Sequence, residues 1–326
     1  MPARKKSRGA GWEFVPTDPA GLAWSNSIGF MTAIEGDLFA ANLDFVRVGI
    51  ISGEAHGAPR LLGELKPPTT FTRLEYFPDW PALAVIGSEF IQLLDVSNPA
   101  SPRVSATFTY DVGHERALTF MGKDVYVTHE NGVAWLDTRT GKPEHLFDIP
   151  GDEFFESYPT GLTSHGEFLF VAGRHCGLHV YRRVDAKTFD AVRSVKKGYT
   201  PTALQWWDPG RVLLMVGNED VIAVDVRDAA AMKVMKSCKV KGVELHSPLV
   251  RIDAKTAFVA GGKTQSRNTL VLTTLDLSNP LEGVVSESFA HKDKAFDFDS
   301  ASFVRVGDQV FVGGTYLETM LVFRRA

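Results

Sequence analysis

The stretch ALAVIGSEFIQLLDVSNPASPRV, residues 82–104, contains the pattern that decides the fold. Two apolar runs are separated by a short polar turn, and the second run ends at Asp95, just before Asn98 and Pro99. Short runs of this kind, bounded by Gly, Asn, Asp and Pro, are typical of β-strands. The stretch therefore predicts a β-hairpin that leads through a turn into a further strand.

The same pattern recurs along the chain. Six further copies occupy residues 37–59, 124–143, 167–189, 211–232, 256–283 and 309–326. Repeats spaced by roughly 40–50 residues are typical of propellers and solenoids. A strand precedes each hairpin and another follows its final turn, and four antiparallel strands make one propeller blade. We predict an all-β fold, a seven-bladed β-propeller of four-stranded antiparallel blades.

The last copy contains only three strands, while the segment GWEFVPT (11–17) belongs to no copy. We expect this N-terminal segment to supply the fourth strand of the C-terminal blade and so close the ring, because pairing removes an exposed strand edge. Residues 11–326 then form a single seven-bladed β-propeller domain. Residues 1–10 contain a basic run and are expected to be a disordered tail.

Two copies carry a family resemblance. FIQLLDVSNPASPRV (90–104) and LVLTTLDLSNPLEGVV (270–285) resemble LVIVD-repeat propellers, in which an apolar strand ends in Asp-Val/Leu-Ser-Asn-Pro. The other copies are degenerate, and copies 4 and 7 lack the aspartate at the strand end. WD-repeat and kelch signatures are missing. The resemblance implies the propeller fold and no particular activity.

Composition excludes several classes of protein. The net charge is −4, so the chain lacks the basic character of a nucleic-acid-binding protein. No apolar run approaches the ~20 residues of a membrane span, and no secretory signal is recognised. Cys176 and Cys238 are far apart and in no metal-binding spacing, which suits a reducing compartment. We expect a cytoplasmic protein that binds neither nucleic acid nor membrane.

Propeller sites usually lie at one mouth of the central channel, and four histidines are predicted on that face. They are His114, His129, His175 and His246. Neutral imidazoles suit a transition-metal ion (Zn, Fe or Cu), so these four are a candidate metal site. Without a spacing motif that ties them together, the competing interpretation is that they are ordinary loop histidines with local hydrogen bonds. His145 is assigned to an outer segment on the opposite side.

A second candidate site needs no metal. Either His114 or His129 would act as a general base, oriented by Glu115 or Glu130. Nearby polar side chains would bind an anionic ligand or stabilise a developing oxyanion. The competing interpretation of the arginines among them is that they form ion pairs with neighbouring carboxylates. The candidates for ligand binding are Arg116, Arg174, Asp299 and Tyr316.

Two classes of function follow. The first is a binding module that presents a polar channel mouth, rich in histidine and acidic residues, to a protein partner or small ligand. The second is a metal-assisted or histidine acid/base enzyme, such as a hydrolase, lyase, isomerase or oxygenase, with its site at the same mouth. No decisive catalytic motif is present, which favours the binding module. Cys176 beside His175 is expected to be a buried small side chain rather than a nucleophile.

Overall fold

The computed structural model contains seven four-stranded antiparallel blades arranged in a ring, as predicted. The residues that it describes are 12–15, 28–43, 46–53, 59–78, 82–87, 89–109, 117–129, 131–151, 158–174, 176–195, 201, 203–217, 219–240, 243–245, 249–263, 266–280, 284–292, 302–313 and 321–325. Nearly all regular structure in these ranges is β; 3-10 geometry occurs at Ala229–Ala231 and at Pro280.

Each blade is named by its place in the chain. Blade 1 contains β2 (Ile28–Ala33), β3 (Leu38–Leu43), β4 (Arg47–Ser52) and β5 (Arg60–Leu65). Blade 2 contains β6 (Phe71–Phe77), β7 (Ala82–Gly87), β8 (Phe90–Asp95) and β9 (Arg103–Thr109). Blade 3 contains β10 (Leu118–Met121), β11 (Asp124–His129), β12 (Gly132–Asp137) and β13 (Lys142–Asp148). Blade 4 contains β14 (Tyr158–His165), β15 (Phe168–Arg174), β16 (Gly177–Arg183) and β17 (Phe189–Val195). Blade 5 contains β18 (Ala203–Asp208), β19 (Val212–Gly217), β20 (Asp220–Asp225) and β21 (Lys233–Lys239). Blade 6 contains β22 (Val243–Leu245), β23 (Val250–Arg251), β24 (Thr256–Lys263), β25 (Ser266–Asp276) and β26 (Val284–Lys292). Blade 7 contains β27 (Ser302–Val306), β28 (Gln309–Gly313), β29 (Leu321–Arg325) and β1 (Trp12–Val15).

Blades 6 and 7 depart from the simple order. The first strand of blade 6 is divided into β22 and β23, which both pair with β24. In blade 7 the fourth strand is β1, from the other end of the chain, and its register places Trp12 opposite Arg325 and Val15 opposite Val322. We expect the stability of the ring to depend on this pairing.

Antiparallel order gives the ring two different faces. The turns between first and second strands, and between third and fourth strands, lie on one face, which we call the turn face. The turns between second and third strands, and the connections between blades, lie on the other face, which we call the mouth face. The repeat thus sorts every loop to one face or the other.

Apolar residues fill every junction between neighbouring blades. The described residues form seven apolar clusters, one for each junction. Blade 7 packs on blade 1 in the same way, and there the rings of Phe39 and Phe311 stack with centroids 5.1 Å apart. Because both faces of each blade are covered, second and third strands such as β7 and β8 are buried on both sides, whereas outer strands such as β9 are largely exposed.

The Asp-Val turn of residues 95–96 joins blade 2 to blade 1. Asp95 Oδ1 accepts a hydrogen bond from the Ser97 amide at 2.9 Å, which shapes the turn, and Val96 is buried in the cluster between blades 1 and 2. The turn then passes so close to Gly63 of β5 that a Cβ there would lie 2.4 Å from the Pro99 carbonyl oxygen. A local turn motif therefore positions one blade against the next.

The same turn recurs in other blades. The equivalent acceptors are Asp137 for the Arg139 amide (3.0 Å), Asp225 for the Arg227 amide (3.2 Å) and Asp276 for the Ser278 amide (2.9 Å). Blade 4 lacks an aspartate at its strand end, as the sequence indicates. Asp185, two residues later, performs the task instead and accepts from the amides of Lys187 at 2.8 Å and Thr188 at 2.9 Å.

Candidate functional site

The longest connections of the ring lie on the mouth face. On the turn face the loops range from two residues, as between β10 and β11 (122–123), to seven, as between β8 and β9 (96–102). On the mouth face eight residues (110–117) connect β9 to β10, and nine (293–301) connect β26 to β27. Loops of variable length on a rigid scaffold are where binding and catalytic residues concentrate. The mouth face is therefore the candidate functional surface.

Most of the sequence-predicted site residues fall outside the described residues. These are His114, Glu115, Arg116, Glu130, His175, His246, Asp299 and Tyr316. Arg174 is the last residue of β15, where it pairs with Tyr158. His129 is the last residue of β11, at the mouth face, and its side chain is half-buried. The convergence of the four predicted histidines therefore stays a prediction.

His145 approaches His129 and corrects the sequence analysis. The centroids of the two imidazole rings are 6.0 Å apart. His145 belongs to β13, the outer strand of the same blade, whereas the sequence pattern places it on the opposite side of the molecule. Asp148 Oδ1 lies 3.2 Å from His145 Nε2. We call His129, His145 and Asp148 the blade 3 cluster.

A small side chain on the intervening strand explains how the two rings meet. His129 pairs with Gly132 of β12, and His145 pairs with Ala134 of the same strand. Strands two apart in a sheet are separated by about 9.6 Å, twice the usual 4.8 Å spacing. Long side chains from the second and fourth strands can lean over the third at Ala134, whose side chain is small. Gly132 instead packs directly against β13, where a Cβ would lie 1.9 Å from the Phe147 carbonyl oxygen.

A β-bulge brings Asp148 to the same face. The register between β12 and β13 shifts at Val133 and Ala134, so that Leu146 has no partner and Asp148 pairs with Gly132. The extra residue places His145 and Asp148, three positions apart, on one side of the strand, where regular alternation would separate them. Val127 and Ala134 lie on the same side of the blade and pack in the cluster between blades 2 and 3, so this side faces blade 2. Alternation alone could not have revealed the cluster.

The described residues hold no group of three histidine, cysteine, aspartate or glutamate side chains arranged to bind a metal ion. Three of the four predicted metal ligands lie outside those residues, so this finding does not bear on that candidate site.

An ion pair that the sequence analysis missed lies on the inner strand of blade 2. Arg73 Nη2 is 3.2 Å from Glu75 Oε2, and both residues belong to β6. Burial raises the pKa of Glu75 above its ordinary value, and the attraction of Arg73 only partly offsets that effect. The available signal was the Arg-Leu-Glu spacing, which places two opposite charges on one side of a strand.

The cysteines and one histidine have structural roles. Neither Cys176 nor Cys238 forms a disulfide, and both are buried. Burial raises the pKa of Cys176 to about 11, so its thiol is not activated as a nucleophile. This confirms the prediction of a buried small side chain. His179 is also buried, with Nδ1 2.8 Å from Ser194 Oγ and Nε2 2.8 Å from the Cys176 carbonyl oxygen.

Within the described part of the chain, no helix has the length and apolar character needed to span a membrane.

Comparisons with known proteins identify the fold but not the family. No family model matches the chain, and no curated protein matches it, so the LVIVD-repeat resemblance rests on sequence pattern alone. Among solved structures, the chain is similar to the WD40 β-propeller domain of Doa1, with a TM-score of 0.64 and 10% sequence identity over 93% of this chain and 94% of that chain. At this identity the likeness shows the fold alone. The chain is a seven-bladed β-propeller.

Proposed function

We propose that this protein is a non-catalytic interaction module that binds a protein partner through its mouth face. The observation that carries the proposal is that the longest loops of the ring lie on one face. The loops on the turn face contain two to seven residues, and the connections between blades on the mouth face contain up to twelve residues (16–27). A rigid ring that holds long loops on one side is suited to recognition without any catalytic group.

Charge and cysteine chemistry support a partner and a compartment of a particular kind. The net charge of −4 and the absence of a strongly basic composition favour a protein partner or small ligand over nucleic acid. Both cysteines are buried and neither forms a disulfide, which fits a reducing compartment, so we infer a cytoplasmic location.

Site-specific photocrosslinking in the native cell tests the proposal. A photoreactive residue is placed at position 114, between β9 and β10 in the sequence, or at 316, between β28 and β29. The matched controls are Lys123 and Glu167, in exposed turns of the turn face. We expect one discrete crosslinked species from the mouth positions and none from the controls. Equal crosslinking from both faces, or crosslinking from the turn face alone, would contradict the proposal.

The alternative function is a metal-assisted or histidine acid/base enzyme at the same mouth, with a small-molecule substrate. The proximity of His129 and His145 is the observation that favours it. A metal content of one equivalent in the purified protein, together with turnover that His114→Gln and His129→Gln abolish, would support the enzyme over the binding module.

A further inference from the structure

We propose that His129 and His145 bind one transition-metal ion, with Zn²⁺ or Cu²⁺ as the class of ligand, at the mouth-side rim of blade 3 facing blade 2. The inference goes beyond the proposed function, since a partner could bind the mouth face whether or not this site is occupied. It also differs from the predicted four-histidine site, because it uses His145 and needs only one of those four residues.

The separation of the rings fits a single bridging ion. A ring nitrogen lies roughly 1.1 Å from the ring centroid and binds zinc at about 2.0–2.1 Å, so each imidazole reaches about 3.2 Å and two span at most about 6.4 Å. The observed separation of the centroids is 6.0 Å, and the rings are inclined to one another by 58°. One ion therefore fits between the rings with only small side-chain adjustments.

Asp148 has the position of a carboxylate that supports a metal-binding histidine. Such histidines commonly donate their second ring N–H to a carboxylate, which fixes the tautomer and makes the free nitrogen a better ligand. Asp148 Oδ1 lies 3.2 Å from Nε2 of His145. This contact leaves Nδ1 of His145 as the nitrogen available to the ion.

The site is open enough for metal to enter. The His145 side chain is 39% exposed and that of Asp148 is 72% exposed. Ala134, which pairs with His145, contributes only a methyl group. With two protein ligands from the described residues, water would occupy the remaining positions, as it does at sites that keep open coordination.

Metal titration of the full-length protein tests the inference. The apoprotein is titrated with ZnCl₂ and with CuCl₂ by calorimetry, and Cu²⁺ coordination is followed by electron paramagnetic resonance. We expect His129→Gln and His145→Gln each to weaken binding at this site at least tenfold, with loss of the signal of nitrogen ligands. Asp148→Asn should weaken binding by about tenfold, the lower end of the usual effect of losing such a carboxylate.

His165→Gln, at the exposed end of β14 on the turn face, is the matched control and should bind as the wild type does. His145→Gln is the most informative variant, because His145 belongs to no other candidate site and lies on an outer strand. Its thermal unfolding should match the wild type, which shows that any loss of binding is not a loss of folding. Unchanged affinity and stoichiometry in His145→Gln would overturn the inference.

Discussion

The indole Nε1 of Trp206 in blade 5 donates a hydrogen bond to the carbonyl oxygen of Ser164 in blade 4, 3.1 Å away. Ser164 Oγ in turn donates to the carbonyl oxygen of Phe120 in blade 3, at 2.7 Å. Trp206 and Ser164 occupy equivalent places on the first strands of their blades, opposite Leu213 and Leu169. A side chain at this position therefore reaches back to the preceding blade.

Other blades use the same position with different chemistry. Tyr76 of blade 2 donates to Glu35 of blade 1 at 3.1 Å, Arg251 of blade 6 donates to the Trp207 carbonyl oxygen of blade 5 at 2.9 Å, and Arg305 of blade 7 donates to the Arg251 carbonyl oxygen of blade 6 at 3.2 Å. The position is Ala33 in blade 1, which has no side-chain donor. Directional polar contacts thus supplement the non-directional apolar packing between blades.

Trp206→Phe tests what one such contact contributes. The variant keeps an aromatic ring against Phe170 but removes the indole donor. We expect a loss of about 0.5–1.5 kcal/mol in the free energy of unfolding, the usual net value of one hydrogen bond. Urea denaturation measures it, and an unchanged midpoint would show that the contact does not stabilise the ring.

Leu93→Ala tests the core of blade 2. Leu93 is 4% exposed and lies in the cluster between blades 2 and 3. Creating a cavity there should cost about 2–4 kcal/mol. Val104→Ala, at a residue of the same blade that is 45% exposed, is the control and should change stability by less than about 0.5 kcal/mol. Equal effects of the two substitutions would contradict the assignment of β8 to the core.

Truncation tests ring closure. Deleting residues 1–17 removes β1 and exposes the edge of β29, so we expect a lower melting temperature and concentration-dependent aggregation. Deleting residues 1–9 leaves β1 in place and should have no effect. Thermal unfolding with light scattering separates the two outcomes. A melting temperature of the longer deletion equal to that of the full chain would refute closure by β1.

The turn aspartates predict sensitivity to acid. The side chain and amide of Ser97 hold the pKa of Asp95 below its ordinary value, and the Lys187 amide does the same for the pKa of Asp185. The native carboxylates therefore bind protons less readily than the unfolded ones, so stability rises with pH in this range. Their contribution is complete above the unfolded pKa of about 3.9 and is lost as the pH falls through the folded value.

Asp185→Asn checks the acid prediction, because an asparagine keeps a side-chain oxygen acceptor but does not titrate. Urea unfolding at pH 3, 4, 5 and 7 should show a shallower fall in stability with acid for the variant than for the wild type. Curves of the same slope would show that Asp185 is not among the groups responsible.

Much of the fold could be predicted because its signals are local. The strand bounds follow from short apolar runs, and the Asp95 turn involves a contact of two residues along the chain. The repeat pattern does not identify Asp185, because this residue lies two positions beyond the end of its strand, where it accepts a hydrogen bond from the Lys187 amide. The local sequence pattern thus identifies the repeated blade, but not every side chain that shapes the turn after its third strand.

The sequence by itself determined the seven repeats, their strands and the face on which each loop lies, because strand propensity and turn chemistry act over a few residues. Only the tertiary structure decided which distant side chains meet. His145 reaches His129 across β12, and a bulge at Leu146 turns Asp148 to the same side. A shift of one residue in strand pairing reverses the side to which every later side chain points, and that register is set by packing across the whole sheet.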